Sequence, residues 1–323
     1  MKLILTGGAG FIGSSYLWKL NSLGIEDVLV VDTQPNTNAY ANLRKKIFRD
    51  YIPHEGLLEA LKKGKLKEMD GIIHMGACSD TTEKDWFYLE KNNVHFSRTL
   101  ARWCLENNKL FHYASSASIY GDGNKGYDDD ETLHEQYKPL NLYGRSKWMF
   151  DNWIISEHLQ DRVVGFRYFN VFGPNEYHKG EMRSMVVKAF DQIYDTGHVK
   201  LFKNSRNGHT DGSEERDFIY IKDVLEVMAY FLQNPKKNGI YNLGTGQSRT
   251  FKDLVTAVFT ALKKNPSIDY VPMPEALRGH YQYYTQAVIL KLRSAGYTKE
   301  FTSIEESIAD YVNNFLVKAD PYL

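Results

Sequence analysis

Cysteine is nearly absent from this sequence: Cys78 and Cys104 are the only two in 323 residues. One possible bridge cannot staple a chain of this length, so the fold must rest on a buried core, and a reducing cytoplasm is the expected setting. Net charge is absent as well. Forty Lys and Arg balance forty Asp and Glu, which argues against a general nucleic-acid binder or an adsorber to anionic membranes. Any anionic ligand must be held by local geometry. No apolar run reaches the ~18 residues of a membrane span, and Gly7, Gly8 and Gly10 interrupt the apolar amino-terminal stretch before an export signal could form. Proline is sparse at 9 residues, while 42% hydrophobic and 25% charged residues leave no room for disorder or a collagen-like repeat. What is plentiful is aromatic: 22 Tyr, 17 Phe and 5 Trp, side chains that suit pocket walls as well as cores.

Short apolar runs alternate with helical stretches in the first half, which predicts an α/β fold built on a Rossmann-type, doubly wound parallel sheet. Leu3 to Thr6, Val28 to Asp32, Lys46 to Asp50, Gly71 to His74, Leu110 to Ser115 and Val163 to Tyr168 are the expected strands. After Gly173-Pro174 the rhythm breaks, with a polar stretch from Asn204 to Glu215 and a helix expected over Lys222 to Gln233. Residues 1–172 and 214–242 are assigned to a dinucleotide-binding domain, and 173–213 with 243–323 to a smaller, discontinuous C-terminal substrate-binding domain. The acidic run Asp128 to Glu131 is expected to be a solvated loop, because adjacent carboxylates point apart and no third ligand stands at a recognisable spacing. The ten histidines show no paired ligand spacing, so no metal is expected.

Two constellations carry chemistry. In Thr6-Gly7-Gly8-Ala9-Gly10-Phe11-Ile12-Gly13, the glycines Gly7, Gly10 and Gly13 follow a strand and open a helix. Their missing side chains permit a tight turn and let a pyrophosphate approach the amides at the helix's positive end. Asp32 ends the next strand, where its carboxylate can accept from an adenosine ribose. The second constellation is Tyr143 and Lys147, four apart on one helical face, with Ser116 after the fifth strand. An ammonium beside a phenol is expected to lower its pKa from near ~10 and make it a usable base, with Ser116 orienting the same substrate oxygen. Each pattern alone has a plain explanation, a ligand-free turn or two solvated neighbours. Together they point to hydride chemistry at a nicotinamide.

These residues resemble the extended short-chain dehydrogenase/reductases that act on nucleotide sugars. Further matches are Arg167 to Pro174, Glu215 to Val224 and Asn242 to Gly246. Three stretches are most similar to the ADP-glyceromanno-heptose 6-epimerase family: Gly76 to Glu83, Tyr177 to Gly180, and Gly279 to Gln282 with Thr285 to Ala287. The resemblance implies inversion at C6 of ADP-D-glycero-β-D-manno-heptose to the L-glycero epimer through a transient 6-keto intermediate, for the lipopolysaccharide inner core. It also implies that Tyr143 serves proton transfer in one substrate orientation and Lys179 in the other, while Lys147 positions the nicotinamide ribose. Carried over residue by residue, the cofactor lining comprises Gly7, Gly10, Phe11, Ile12, Gly13, Asp32, Thr33, Met75, Gly76, Ala77, Cys78, Ser79, Asn92, Tyr143, Lys147, Val171 and Lys179. The substrate is assigned to Ser116, Asn170, Lys188, Phe202, Lys203, Asn204, Ser205, Arg216 and Tyr281, with the Arg216 fork as diphosphate partner. Cys78 is expected as a small wall residue and Cys104 as helix packing. A homo-oligomer, a pentamer, is implied as well.

The chain departs from the family at three places. Glu181 stands where the family has Ser, so a diphosphate contact there requires compensation by Lys188 or Arg183, and Lys188 itself replaces a His. The stretch 206–215 is longer than usual and is expected to be a surface insertion. Position 39, seven after Asp32, is Ala39 where the family places the lysine that pairs with the 2′-phosphate of NADP. The resemblance thus implies NADP, while Asp32 and the missing lysine favour NAD unless Arg44, Lys45 or Lys46 swings in. Two rival readings remain: a UDP-hexose 4-epimerase, which shares the run Ser116 to Gly121, and a non-catalytic dinucleotide sensor. A 4,6-dehydratase is disfavoured because Ala117 and Ser118 stand where that family needs an acid pair.

Overall fold

The computed structural model describes residues 1–33, 37–204, 210–275 and 282–323. Its centre is a seven-stranded, all-parallel sheet made of β1 (Leu3–Thr6), β2 (Val28–Asp32), β3 (Asp50–Pro53), β4 (Gly71–His74), β5 (Leu110–Ser116), β6 (Val164–Tyr168) and β10 (Gly239–Leu243). The spatial order is β10-β6-β5-β4-β1-β2-β3. Leu3 and Leu5 pack into one apolar cluster, whereas Ile4 between them packs into another on the opposite face. Both faces are covered, which is why these strands are continuous apolar runs rather than alternating ones. The chain reverses direction of travel between β1 and β4, so the crevice at their carboxyl ends is the topological switch point where such sheets take ligands.

Two expectations about the sheet need correction. The third strand lies at Asp50–Pro53, not Lys46 to Asp50. Lys45 takes a φ of +63°, which interrupts any extended run, and Lys46 turns inward to donate to the Leu323 carbonyl at 2.8 Å. A seventh strand, Gly239–Leu243, joins the sheet parallel to β6. It is delivered by the helix Ile221–Gln233, which packs on the first helix, Phe11–Ser22, where Tyr16 donates to the Met228 carbonyl at 3.3 Å.

Beyond the carboxyl end of β6 the chain enters two small sheets. One joins β7 (Asn170–Phe172), β9 (Glu215–Tyr220) and β11 (Ser248–Thr250), and the other joins β8 (Val199–Phe202) to β12 (Ile268–Val271). Buried Asp217 on β9 accepts from Thr245 N at 2.7 Å, Thr245 Oγ1 at 2.7 Å, Gly246 N at 2.8 Å and Ala287 N at 3.0 Å. One carboxylate thereby ties three separate stretches together. The Asp128 to Glu131 run is not the solvated loop that adjacency of charge suggested. Asp129 is buried and accepts from Asn242 N at 2.7 Å, and Glu131 pairs with Lys291. Burial pushes the Asp129 carboxyl up to about 6.

Candidate functional site

At the switch point lies a cavity of about 640 Å³. Its floor is the glycine loop between β1 and the first helix. Gly7 sits at φ +66°, and a Cβ there would come within 2.6 Å of Gly76 N on the neighbouring β4 loop. Only glycine lets the two loops meet. The helix that follows has no side-chain cap and no acidic residue in its first turn, so its amides and positive dipole end are left to a ligand. Asp32 accepts from Ala9 N at 2.9 Å through one carboxylate oxygen and from Thr33 N at 2.8 Å through the other, which fixes it at the rim. The cradle, the uncapped helix and the rim carboxylate fit the pyrophosphate and ribose of a dinucleotide.

A buried relay holds the switch-point loops in place. Gly76 N donates to Thr6 Oγ1 at 3.1 Å, Thr6 Oγ1 lies 2.6 Å from His74 Nδ1, and His74 Nε2 lies 2.8 Å from Ser97 Oγ. Because Ser97 spends its proton on the Asn93 carbonyl at 2.7 Å, the neutral His74 donates through Nε2 and accepts through Nδ1. Burial, with Lys147 nearby, pushes its pKa down to about 3. Asn93 adds a second clamp, accepting from Cys78 N at 2.9 Å and donating to Cys78 O and Ser146 Oγ, each at 2.9 Å. It was missed in favour of its neighbour Asn92, which lines the cavity; two adjacent asparagines on a helical stretch face different ways, and Asn93 is the inward one.

One wall carries the reactive side chains. The helix Leu142–Ser156 is capped by Asn141, whose side chain accepts from Gly144 N at 2.7 Å. This start places Tyr143 and Lys147 on the cavity face, opposite Ser116 at the end of β5. Ser116 hydrogen-bonds the Tyr143 phenol. The structure differs from expectation in the titration. Desolvation pushes the Tyr143 phenol up, not down, and Lys147 spends its ammonium on the Ala114 carbonyl at 2.8 Å. Burial lowers the pKa of Lys147 to about 8.

Lys179 reaches the same cavity from the segment after β7, its Nζ 5.5 Å from the centre of the Phe11 ring. Burial pulls its pKa down, opposed by Glu176. His178 beside it lies 3.1 Å from Asn42 Nδ2 through Nδ1, and Asn42 also donates to the carbonyls of Ala9 and Asn175 at 2.9 and 3.1 Å. The Lys179 segment is thus wired directly to the glycine loop.

All the residues assigned to the cofactor line this one cavity, including Gly7 and Gly10 to Gly13 at the floor, Thr33, Met75 to Ser79, Asn92 and Val171. Cys78 is in the wall and Cys104 is buried in the core beneath. The substrate assignments divide. Ser116 and Asn170 line the cavity, while Lys188, Phe202, Lys203, Asn204 and Arg216 do not. Lys188 is bound to Glu181, donating to its carbonyl at 2.6 Å and its carboxylate at 3.3 Å, which draws it off the site. Asn204 is held in its own turn by Asp211 and Ser213, each at 3.0 Å. Arg216 is buried, donates to the Glu215 carbonyl at 2.8 Å and lies 5.5 Å from the ring of Phe251, itself a cavity residue. Ser205, Tyr281 and residues 206–209 of the long stretch lie outside the described residues. Arg183, raised in the sequence only as a foil to Glu181, lines the cavity and pairs with Asp191 at 3.0 Å. Among the described residues, no group of three His, Cys, Asp or Glu side chains is placed to hold a metal ion, and no helix is long and apolar enough to cross a membrane.

The model of the NAD dependent epimerase/dehydratase family matches residues 3–244. The chain is 48% identical over 321 residues to ADP-L-glycero-D-manno-heptose-6-epimerase of Nitratidesulfovibrio vulgaris strain Hildenborough, covering 99% of each protein. It is 46% identical over 331 residues to the enzyme of the same name from Fusobacterium nucleatum, covering 99% of this chain and all of that one. Among solved structures, ADP-L-glycero-D-manno-heptose-6-epimerase of Helicobacter pylori superposes with a TM-score of 0.78 at 27% identity, over 97% of this chain and 95% of that one.

Proposed function

Since the chain belongs to the NAD dependent epimerase/dehydratase family and, within it, to the ADP-L-glycero-D-manno-heptose-6-epimerases, we propose that it inverts C6 of ADP-D-glycero-β-D-manno-heptose to the L-glycero epimer. The product would feed the heptose of the lipopolysaccharide inner core. The observation that carries this reading is the meeting in one cavity of the glycine cradle, the Ser116, Tyr143 and Lys147 wall, and Lys179. The bound nicotinamide supplies reversible hydride acceptance, so it is recycled rather than consumed.

Inversion requires proton transfer at O6 in two substrate orientations. Tyr143, held by Ser116, serves one, and Lys179 serves the other. Burial moves the two in opposite directions, making the Tyr143 phenol harder to ionise and the Lys179 ammonium easier to deprotonate. A pair pushed apart in this way supplies one resting acid and one accessible base. Lys147 positions the nicotinamide ribose and keeps a positive charge near any phenolate that forms. Asn170 and Arg216 belong to the sugar and diphosphate side, Arg216 through its fork once Phe251 and its neighbours adjust.

The cofactor is NAD in this reading, against the NADP that the family resemblance implies. Ala39 offers no cation at the cavity edge, and the three basic residues that could replace one are engaged elsewhere. Arg44 lies over the Tyr322 ring at 4.7 Å, Lys45 pairs with Asp320, and Lys46 binds the Leu323 carbonyl. Weighing the dinucleotide released on denaturation tests this, and finding only NADP would overturn it. The same reading places the enzyme in the cytoplasm as a homo-oligomer, a pentamer, whose mass light scattering measures. It keeps the division into a dinucleotide domain (1–172, 214–242) and a substrate domain (173–213, 243–323).

The reaction is tested by incubating the purified protein with each ADP-heptose epimer, without added cofactor, and following C6 by NMR. Interconversion of both epimers is expected. Conversion of UDP-galactose alone would make it a 4-epimerase, and conversion of no sugar by a dinucleotide-loaded protein would make it a sensor.

A further inference from the structure

The segment Asp320–Leu323 lies far from β1 in sequence and holds the residues that lead into Lys179. Tyr177 donates its hydroxyl to the Pro321 carbonyl at 2.7 Å and meets the Tyr322 ring edge-on, centroids 5.3 Å apart. Leu323 N donates to Asn175 Oδ1 at 3.1 Å, and the Leu323 side chain is buried. Asn175, at φ +79°, sends its amide nitrogen to Ser14 Oγ at 3.1 Å on the first helix. On the other side the same four residues engage the stretch after β2, through Lys45 to Asp320, Arg44 over Tyr322, and Lys46 to the Leu323 carbonyl. That stretch also contains Asn42, which reaches both Ala9 in the glycine loop and His178.

We infer that Asp320–Leu323 is a strap that positions Lys179, clamping residues 175–179 against residues 42–46 so that the amine is held at a fixed place in the cavity. The inference rests on the reading of Lys179 as the second proton-transfer group, and none of the four strap residues touches the cavity itself. Without the strap, Lys179 N still donates to the Glu176 carbonyl at 3.1 Å, and the Glu176 carboxylate is itself held by Ser184 Oγ at 2.8 Å and Tyr311 OH at 3.2 Å. The segment therefore stays folded but loses its tether on the cofactor side. Tyr322 is a positioning residue.

The test compares Tyr322→Ala with Tyr322→Phe, which keeps the ring edge and the face beneath Arg44. Turnover of ADP-heptose, the dinucleotide retained on purification, and acetylation of the Lys179 amine by limiting acetic anhydride, read by peptide mass spectrometry, are measured on each. For Tyr322→Ala we expect kcat to fall roughly 10- to 100-fold, the scale of an ~1 Å misplacement, with KM and retained dinucleotide little changed and Lys179 acetylated faster than in the parent. Tyr322→Phe is expected to match the parent in turnover, retained dinucleotide and labelling. Parental kcat and labelling in Tyr322→Ala would overturn the strap, as would loss of turnover that merely tracks loss of dinucleotide or of thermal stability. Lys179→Ala separates the two ideas: near-normal turnover there would refute the base, while the labelling of Lys179 in the Tyr322 variants still decides the strap.

Discussion

Gly13→Ala tests whether the glycine loop is shaped by packing, by its ligand, or by both. Gly13 lies within the first helix, where alanine is intrinsically favoured over glycine by about 1 kcal/mol. Its Cβ, however, would run into the Gly7 carbonyl, pressed against its oxygen and 2.8 Å from its carbon, and stand 3.0 Å from Gly8 Cα, against a carbon–carbon optimum of ~3.5–4.0 Å. The clashing atoms are backbone, so no side chain can swing away; the helix must retreat by roughly 1 Å, an overpacking cost of about 1–3 kcal/mol. Net destabilisation of up to about 2 kcal/mol follows, together with weakened dinucleotide binding, because the first-turn amides move with the helix. Gly10→Ala is the control. A Cβ there meets only Gly7 O, at 3.1 Å, and otherwise points into the cavity that Gly10 lines. It should weaken the dinucleotide while leaving the stability of the stripped protein nearly unchanged. Urea unfolding of both variants with and without added NAD, alongside dinucleotide titration by fluorescence, separates the two. Gly13→Ala with parental stability and parental affinity would refute the packing argument.

Further outcomes follow from the same geometry. Tyr143→Phe should cut epimerisation by about 10²–10⁴-fold with dinucleotide retention unchanged, since only the hydroxyl that Ser116 contacts is removed; near-parental turnover would sink the acid–base assignment. Asp217→Asn should cost about 2–6 kcal/mol in urea unfolding, because at least two of its four donors then face an amide NH₂, and a loss well under 1 kcal/mol would contradict it. Stability should also fall with acid. Burial holds His74 and His112 down to about 3 and His134 to about 4, so below pH ~6.5 the unfolded chain binds protons that the folded chain refuses, and stability full above that pH is lost toward pH 4. Asp129, pushed up to about 6, and Glu176, Asp217 and Asp223, whose carboxyls burial also raises, work in the opposite sense, while His178 and the lowered carboxylates of Glu226, Glu305, Asp310 and Asp320 add to the loss. Urea midpoints at pH 7.5 and 4.5 should show the loss; an unchanged or higher midpoint at 4.5 would contradict it.

How much of this was legible depended on whether a feature is local. β1, β2 and β4 were read to the residue because both faces of the sheet are buried and the strands are uninterrupted apolar runs. β3 slipped because it is an edge strand with exposed ends, and the Lys45 backbone that ends the preceding stretch leaves no mark on hydropathy. β10 was not named as a strand because its run, Gly239–Leu243, comes after the strand–helix rhythm of the first half has broken, although 214–242 was assigned to the dinucleotide domain. The dinucleotide wall was readable since it is contributed by contiguous motifs, 7–13, 32–33 and 75–79. The sugar side comes from single residues scattered over β7, β8, β9 and the helix Met185–Thr196, whose direction depends on what each packs against. Lys188 turns to Glu181, only seven positions away and already named as its counter-charge, whereas Asp129 was taken for a solvent residue although its acceptor role is set by Asn242, more than a hundred positions on. The aromatic surplus resolves likewise: Tyr113, Tyr120 and Phe166 are core, while of the four aromatics nominated for the pocket Phe11 and Tyr143 line it, Phe202 stands outside the lining and Tyr281 lies outside the described residues.

The central claim is that C6 is inverted by removing and returning one hydride inside this cavity. Its most direct test is ADP-D-glycero-β-D-manno-heptose carrying deuterium at C6, incubated with the protein in ordinary water and followed by NMR. The expected result is the L-glycero epimer with the deuterium still on C6. Epimer formed with hydrogen from solvent at C6, or no epimer from protein that holds its dinucleotide, would contradict it.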